Sequence, residues 1–258
     1  MGIANMSGDT RKQNSHIFGH MQCSATRQRK ESRQINMSVE GKNCEALYFK
    51  HLAELINTSN KNKYNLALSV RRASPKDYAK RYYQPIDTKN GKQIPFFHIQ
   101  DVEDYNDKQL AHKFCSIIDE IAEVKSTLGI VYKLGYSNYT FDLWILLHVA
   151  DMKASVNHRN QYLTPINNYL RENKENKFKD LDEYKRKKNF ANILKKYITL
   201  DKVFQAIRRA ETIVDDNRRK YHITGHRDIR FYKENPDTSV HEIVKLIFNI
   251  CGVNIPAT

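Results

Sequence analysis

The chain has 258 residues, 40% of them hydrophobic, with only 9 Gly and 6 Pro, which suits one sizeable α/β domain or a core with a smaller helical appendage and excludes a disordered composition. A formal net charge of +14 favours a polyanionic partner, because each phosphate neutralised releases counterions. Four scattered cysteines without a CxxC pair suggest neither a thiol-rich zinc site nor a disulfide scaffold, and no apolar run reaches membrane-spanning length, so a soluble, cytoplasmic protein without membrane contact is expected.

Residues 1–34 read as a flexible basic leader without helical or strand period. Ile35–Val39 is a strand candidate ending in Glu40-Gly41, and Glu45–Ile56 follows as an amphipathic helix with Tyr48, Leu52 and Leu55/Ile56 on one face. Tyr64–Val70 is a second strand, and a polar, Tyr-rich connection over Ser74–Gln93 has room for a short helix. Phe96–Gln100 is a third strand, ending at Asp101-Val102-Glu103-Asp104. Asp107 can cap the next helix, which carries Leu110, Phe114, Ile117/Ile118, Ile121 and Val124. Leu128–Leu134 reads as a fourth strand, leading through Gly135–Asn138 into a buried helix over Phe141–Ala150. Strands alternating with helices predict a mainly parallel sheet within residues 35–150, whose functional groups gather at the carboxyl ends of its strands. A basic helical insertion over 151–230 follows, with helices at Tyr162–Glu172, Leu181–Tyr197 and Leu200–Asp215. A final helix, Val240–Ile250, within 231–258 is expected to dock on the sheet.

Charge separates these regions: residues 36–150 hold fifteen Lys/Arg against thirteen acids, whereas 151–230 hold twenty against eleven. The second half is therefore the candidate nucleic-acid surface, with Lys187, Lys188, Arg208, Arg209, Arg218 and Arg219 interleaved with Tyr184, Tyr197 and Tyr221. A plain solvated helix face has the same pattern.

Phosphodiester cleavage needs a Lewis acid and an activated water, and a divalent cation held by carboxylates from separate chain segments supplies both. Glu40, Asp101, Glu103 and Asp142 each follow a predicted strand. Spacing alone leaves them equally readable as turn and capping acids. The residue identities add to this. Val39-Glu40-Gly41 with Cys44-Glu45 and Tyr48-Phe49 resembles the VEG/CEG…TE..YF signature of RloB-like proteins, Toprim-fold relatives in antiphage, abortive-infection systems. Ser137-Asn138-Tyr139-Thr140-Phe141-Asp142-Leu143-Trp144 through His148 resembles the family's SNPxFELWLLLH block. Asp101-Val102-Glu103 stands where the family carries DxD, and Asn235-Pro236-Asp237-Thr238-Ser239-Val240 is similar to the turn before its last helix.

The resemblance covers roughly residues 35–250 and implies a Toprim-like fold and a Mg²⁺- or Mn²⁺-dependent endonuclease. Glu40 would be a metal ligand or general base, Asp101 and Glu103 would hold the ion, Glu45 would support them, and Asp142 would add a further acid. It also implies an ABC/SMC-like ATPase companion and a nucleic-acid substrate, with RNA such as tRNA ahead of DNA. Here Glu103 replaces the second Asp of DxD, Asp142 the Glu of FELW, and Tyr139 the Pro of SNP. A non-catalytic module binding nucleic acid or a partner is the alternative, and self-association is left open.

From the residues themselves, Lys133 is a candidate to neutralise phosphate charge, or simply a strand-edge lysine. Trp144 and His148 read as core. His222 and His226 have a helical i, i+4 spacing but enclose Gly225 and lack an obvious third ligand, so a surface cluster outranks zinc.

Overall fold

The structure, a computed structural model, describes residues 30–82 and 94–256. Most of the leader, residues 1–29, and most of the Tyr-rich connection, 83–93, lie outside the described residues. The order is β1 (Ser32–Val39), α1 (Cys44–Thr58), β2 (Asn65–Arg72), α2 (Pro75–Tyr82), β3 (Phe96–Asp101), α3 (Lys108–Leu128), β4 (Tyr132–Ser137) and α4 (Asp142–Leu147). A 3₁₀ turn at Arg159–Tyr162 then opens a helical series: α5 (Leu163–Glu172), α6 (Leu181–Tyr184), α7 (Lys187–Tyr197) and α8 (Leu200–Lys220). A short antiparallel hairpin, β5 (Thr224–His226) and β6 (Ile229–Phe231), precedes α9 (Val240–Cys251).

Four strands form one parallel sheet in the order β2-β1-β3-β4, flanked by helices, which is the α/β, Toprim-like architecture expected. β1 is central and its last five residues are buried without alternation, as a strand covered on both faces must be. Side chains still alternate between the faces. Ile35, Met37, Val39, Phe97 and Ile99 join the core of α1, α4 and α9, whereas Phe96 and Tyr132 pack with Tyr78 of α2 and Ile121 and Val124 of α3.

Several boundaries differ from the sequence reading. The fourth strand is Tyr132–Ser137 rather than Leu128–Leu134, because α3 runs on through Leu128 and ends on Gly129, whose φ of 68° is the left-handed cap glycine adopts without strain. The shift moves Ser137 from the loop to the strand end. The stretch Leu181–Tyr197 is two helices, broken where Lys185 closes α6 and Arg186 turns extended (φ −57°, ψ 131°). The first strand begins at Ser32, α8 continues past Asp215 to Lys220, and the hairpin at 224–231 has no counterpart in the sequence reading. Asp107 caps α3 as expected, its Oδ1 accepting from the backbone N–H groups of Gln109 (2.8 Å) and Leu110 (3.2 Å). α7 packs on α1, α8 on α4 and α9, and α9 on β4, so the helical second half shares one core with the sheet. No helix among the described residues is long and apolar enough to cross a membrane.

Candidate active site

The chain grows from β1 outward to β2, then returns to the other side of β1 with β3 and β4. The gap between β1 and β3 is therefore a topological switch point, where open parallel sheets bind ligands beyond their carboxyl ends. Register pairs Val39 with Ile99 and Asp101 with Ser137. Glu40, Asp101 and the loop leading to Asp142 thus emerge at the same end.

Glu40 is held from several sides. Its N–H donates to Ile99 O (3.1 Å), and its Oε2 accepts from Asp101 N (3.0 Å) and from Gln100 Nε2. Its Oε1 is paired with Lys113 of α3. Behind Gln100 a buried polar line runs across the sheet. Gln100 Oε1 can only accept, so His98 Nε2 donates to it (3.0 Å), which leaves His98 Nδ1 to accept from Ser38 Oγ (2.8 Å). That line needs a neutral imidazole, and burial supplies it by lowering the His98 pKa to about 4.

The second group lies on the α1 side of the sheet. Asp101 Oδ1 accepts from Phe141 N (2.8 Å). Glu45, 4% exposed in the first turn of α1, folds its carboxylate over Gly41, where any Cβ would overlap and displace it. Asp142, 1% exposed, accepts from Thr140 Oγ1 (2.8 Å) and pairs with Lys185 Nζ (2.6 Å), both through Oδ2, while its buried Oδ1 has no hydrogen-bond partner. Burial, then Glu45 and Glu40, push the Asp101 pKa well above the usual carboxylate range against the pull of Lys185. Burial, then Asp142 and Glu40, push Glu45 up to about 7, opposed by its own backbone N–H and by Lys185. Lys185 itself is raised: burial alone would lower it, and the Asp142 and Asp101 carboxylates outweigh that.

Glu103 sits at φ 58°, a left-handed conformation that a glutamate holds only under constraint. The constraint is its N–H, which donates to Tyr139 O (2.9 Å). Its carboxylate lies 3.7 Å from Arg159 Nη1 and lines a cleft of about 280 Å³ with Tyr105, Asn138 and Tyr139. Burial raises its pKa against Arg159.

The donors are all carboxylate oxygens, the ligands of a hard divalent cation. The burial and crowded charge that raise Asp101 and Glu45, and the unpartnered Oδ1 of Asp142, are what such a cation would offset, so the donor chemistry fits Mg²⁺ or Mn²⁺. Among the described residues no three His, Cys, Asp or Glu side chains converge closely enough to ligate one ion; the ammonium groups of Lys113 and Lys185 hold Glu40 and Asp142 instead.

The structure thus places Glu40, Glu45, Asp101 and Asp142 at the same end of the sheet, Glu40 on the α3 side and the other three on the α1 side, with Glu103 alongside. Lys133 does not join them. It is exposed near the start of β4, opposite Phe97, and lines a separate cavity of about 560 Å³ with Lys125, Arg218 and Glu242. The later register of β4 is the reason: Lys133 lies four positions before Ser137, which ends the strand. His148 is core, bonded to Trp144 O (2.9 Å) and Tyr48 Oη (3.1 Å). His222 and His226 share no helix, because α8 ends at Lys220; His226 pairs with Asp119.

Of the basic residues, Lys187 and Lys188 are exposed at the start of α7, and Arg219 is exposed near the end of α8. Arg218 pairs with Asp215, and Arg208 donates to Pro256 O. Arg209 is tied down between Asp151 (2.7 Å) and Leu147 O (2.8 Å), which makes it a brace between α8 and α4 rather than a free surface cation. Lys113 and Lys185 were not legible as site residues. The first sits on a helix face of ordinary polarity and the second opens a four-residue basic run, and no spacing marks either.

The sequence profile of the RloB-like protein family matches residues 35–247. No curated protein and no solved structure matches the chain.

Proposed function

Since the chain belongs to the RloB-like protein family, whose membership suggests an antiphage-associated role, we propose that it is a divalent-cation-dependent endonuclease acting in abortive infection. The observation that carries this reading is the gathering of Glu40, Asp101, Glu45 and Asp142 at the sheet's switch point, with Asp101 and Glu45 raised by burial and then by neighbouring carboxylates. Glu40 and Asp101, with Glu103 at the rim, are the residues that would hold Mg²⁺ or Mn²⁺. The bound cation would supply a Lewis acid and a water acidified enough to attack phosphorus at neutral pH. The protein's own groups do the rest. The Ser38–His98–Gln100 line fixes the direction of the Glu40 carboxylate. Without a cation, burial and the neighbouring carboxylates push Glu45 up to about 7, so a proton on Glu45 can offset the crowded charge until a cation takes its place. The excess positive charge of residues 151–230 suits a nucleic-acid backbone; RNA such as tRNA is favoured over DNA, with an ABC/SMC-like ATPase as companion.

A second reading, a binding module without catalysis, draws on the two lysines that already neutralise Glu40 and Asp142. Incubating the purified protein with tRNA, single-stranded RNA and plasmid, in Mg²⁺, Mn²⁺ or EDTA, separates the two. The nuclease reading expects cation-dependent cleavage that Glu40→Ala and Asp101→Ala abolish while binding persists. Absence of cleavage with and without an ATPase partner, or cleavage surviving both substitutions, would refute it.

A further inference from the structure

Lys185 is the point at which the helical second half enters the carboxylate cluster. It closes the single turn of α6, and the extended Arg186 behind it sets α7 off on a new line, so Lys185 stands at a corner. Its Nζ is 2.6 Å from Asp142 Oδ2, and its charge also acts on Asp101, Glu45 and Glu103. The two ends of this pair differ: the Asp142 side chain is 1% exposed and the Lys185 side chain 31%. An ammonium has three donors, and Asp142 is its one ion-pair partner among the described residues, so donors remain on the solvent side of the cluster. Arg186, Lys187 and Lys188 follow directly, all exposed and without a carboxylate partner among the described residues. Three exposed cations therefore follow Lys185 directly in the chain, at the start of α7, charge suited to phosphates next to the one at Lys185.

We infer that Lys185 is a catalytic residue of this site, its ammonium donating hydrogen bonds to a nonbridging oxygen of the scissile phosphate while Arg186, Lys187 and Lys188 carry the adjoining strand. The catalytic role rests on the nuclease reading; the phosphate contact does not. Attack on phosphorus builds charge on the nonbridging oxygens, and a donor already fixed in a partly desolvated site stabilises that charge without reorganising. No proton changes hands: Lys185 stays an ammonium throughout.

The first test uses the unsubstituted chain. Reductive methylation of lysines is followed by mass spectrometry with and without a saturating single-stranded RNA oligonucleotide in EDTA. Lys185 should be protected by the RNA, whereas Lys61, in the loop entering β2 at the opposite end of the sheet, should react unchanged. Equal labelling of Lys185 in the two states overturns the contact. The second test compares Lys185→Met and Lys185→Arg. The Met variant should lose about 100-fold in single-turnover cleavage rate. Its oligonucleotide Kd should stay within about fivefold, the worth of one surface ion contact. The Arg variant should keep a large part of the rate. A Met variant that cleaves like the parent, or a Met and Arg pair losing rate and melting temperature equally, reduces Lys185 to a counter-charge for Asp142 and overturns the proposal. Should Lys185→Met not fold, the methylation result decides. Should the parent cleave nothing, the nuclease reading falls while the methylation result still judges the contact.

Discussion

Glu45→Gln keeps the shape of a buried side chain and removes its charge, and its effect on stability should depend on pH in a defined direction. Glu45 is 4% exposed, and burial, then Asp142 and Glu40, push its pKa from 4.5 to about 7. Between those values the unfolded chain has shed the proton and the native chain still holds it. Stability from this group is therefore fullest below pH 4.5, falls as pH rises through the window, and is lowest above 7. At about 1.4 kcal/mol per pH unit the loss is about 3 kcal/mol. The glutamine variant does not titrate and should escape that loss. It should match the parent near pH 4 and melt higher at pH 8, by about 6–12 °C for a chain of this size. Circular dichroism melts in EDTA from pH 4 to pH 8 measure the difference. An offset that does not change with pH, or a variant melting below the parent at pH 8, would refute the argument that Glu45 sits in a crowded, desolvated charge cluster.

Gly41→Ala should act through the same residue: its Cβ would displace the Glu45 carboxylate, and a site group moved by about 1 Å costs on the order of 100-fold in rate, read as single-turnover cleavage at little cost in melting temperature. Tyr136→Phe removes the 2.7 Å hydrogen bond that Tyr136 Oη donates to buried Asp237 and should cost about 1–3 kcal/mol in urea unfolding. Burial lowers the His98 pKa to about 4 and that of His148 to about 3, so both stabilise the fold fully above pH 6.5 and progressively less as pH falls toward those values; their imidazole NMR signals should remain those of neutral rings at pH 5. Lys113→Met frees Glu40 from an ammonium whose side chain is 54% exposed, and it should tighten Mn²⁺ binding by up to about fivefold in a calorimetric titration; unchanged binding would mean that Glu40 is not a ligand.

The sheet was legible because its strands are short apolar runs punctuated by acids and glycine, and because α1 and α3 have clear helical period. What escaped was set by tertiary contacts. Leu128–Leu134 is as apolar as a strand, but its first residue still belongs to α3, and the decision falls on Gly129, whose role as a left-handed cap shows only in φ. Lys133 was misplaced with the strand that carries it. The hairpin at 224–231 is too short for alternation to register. For the site, motifs located the acids, yet nothing in the sequence said that Glu45 would lie over Gly41 or that Lys113 and Lys185 would meet two of the carboxylates. Those contacts join residues far apart in the chain.

Strand alternation explains why two lysines are needed. Gln100 and Asp101 are neighbours on β3 and so face opposite sides of the sheet. Glu40 follows Gln100 toward α3, where Lys113 meets it; Asp101 faces α1 and α4, where Glu45, Asp142 and Lys185 lie. Each face thus carries acids and a cation contributed by an element packed over that face. For the α3 side the cation comes from within the α/β core. For the α1 side it comes from residue 185, beyond the end of α4, and α7 and α8 hold that segment against α1 and α4. Removing 151–230 would therefore strip the counter-charge from buried Asp142 and uncover the helix that carries it, a loss of several kcal/mol for an uncompensated buried carboxylate alone. The carboxylate cluster and the basic helical segment are joined by this ion pair and by shared packing, and neither is a module that the other merely accompanies.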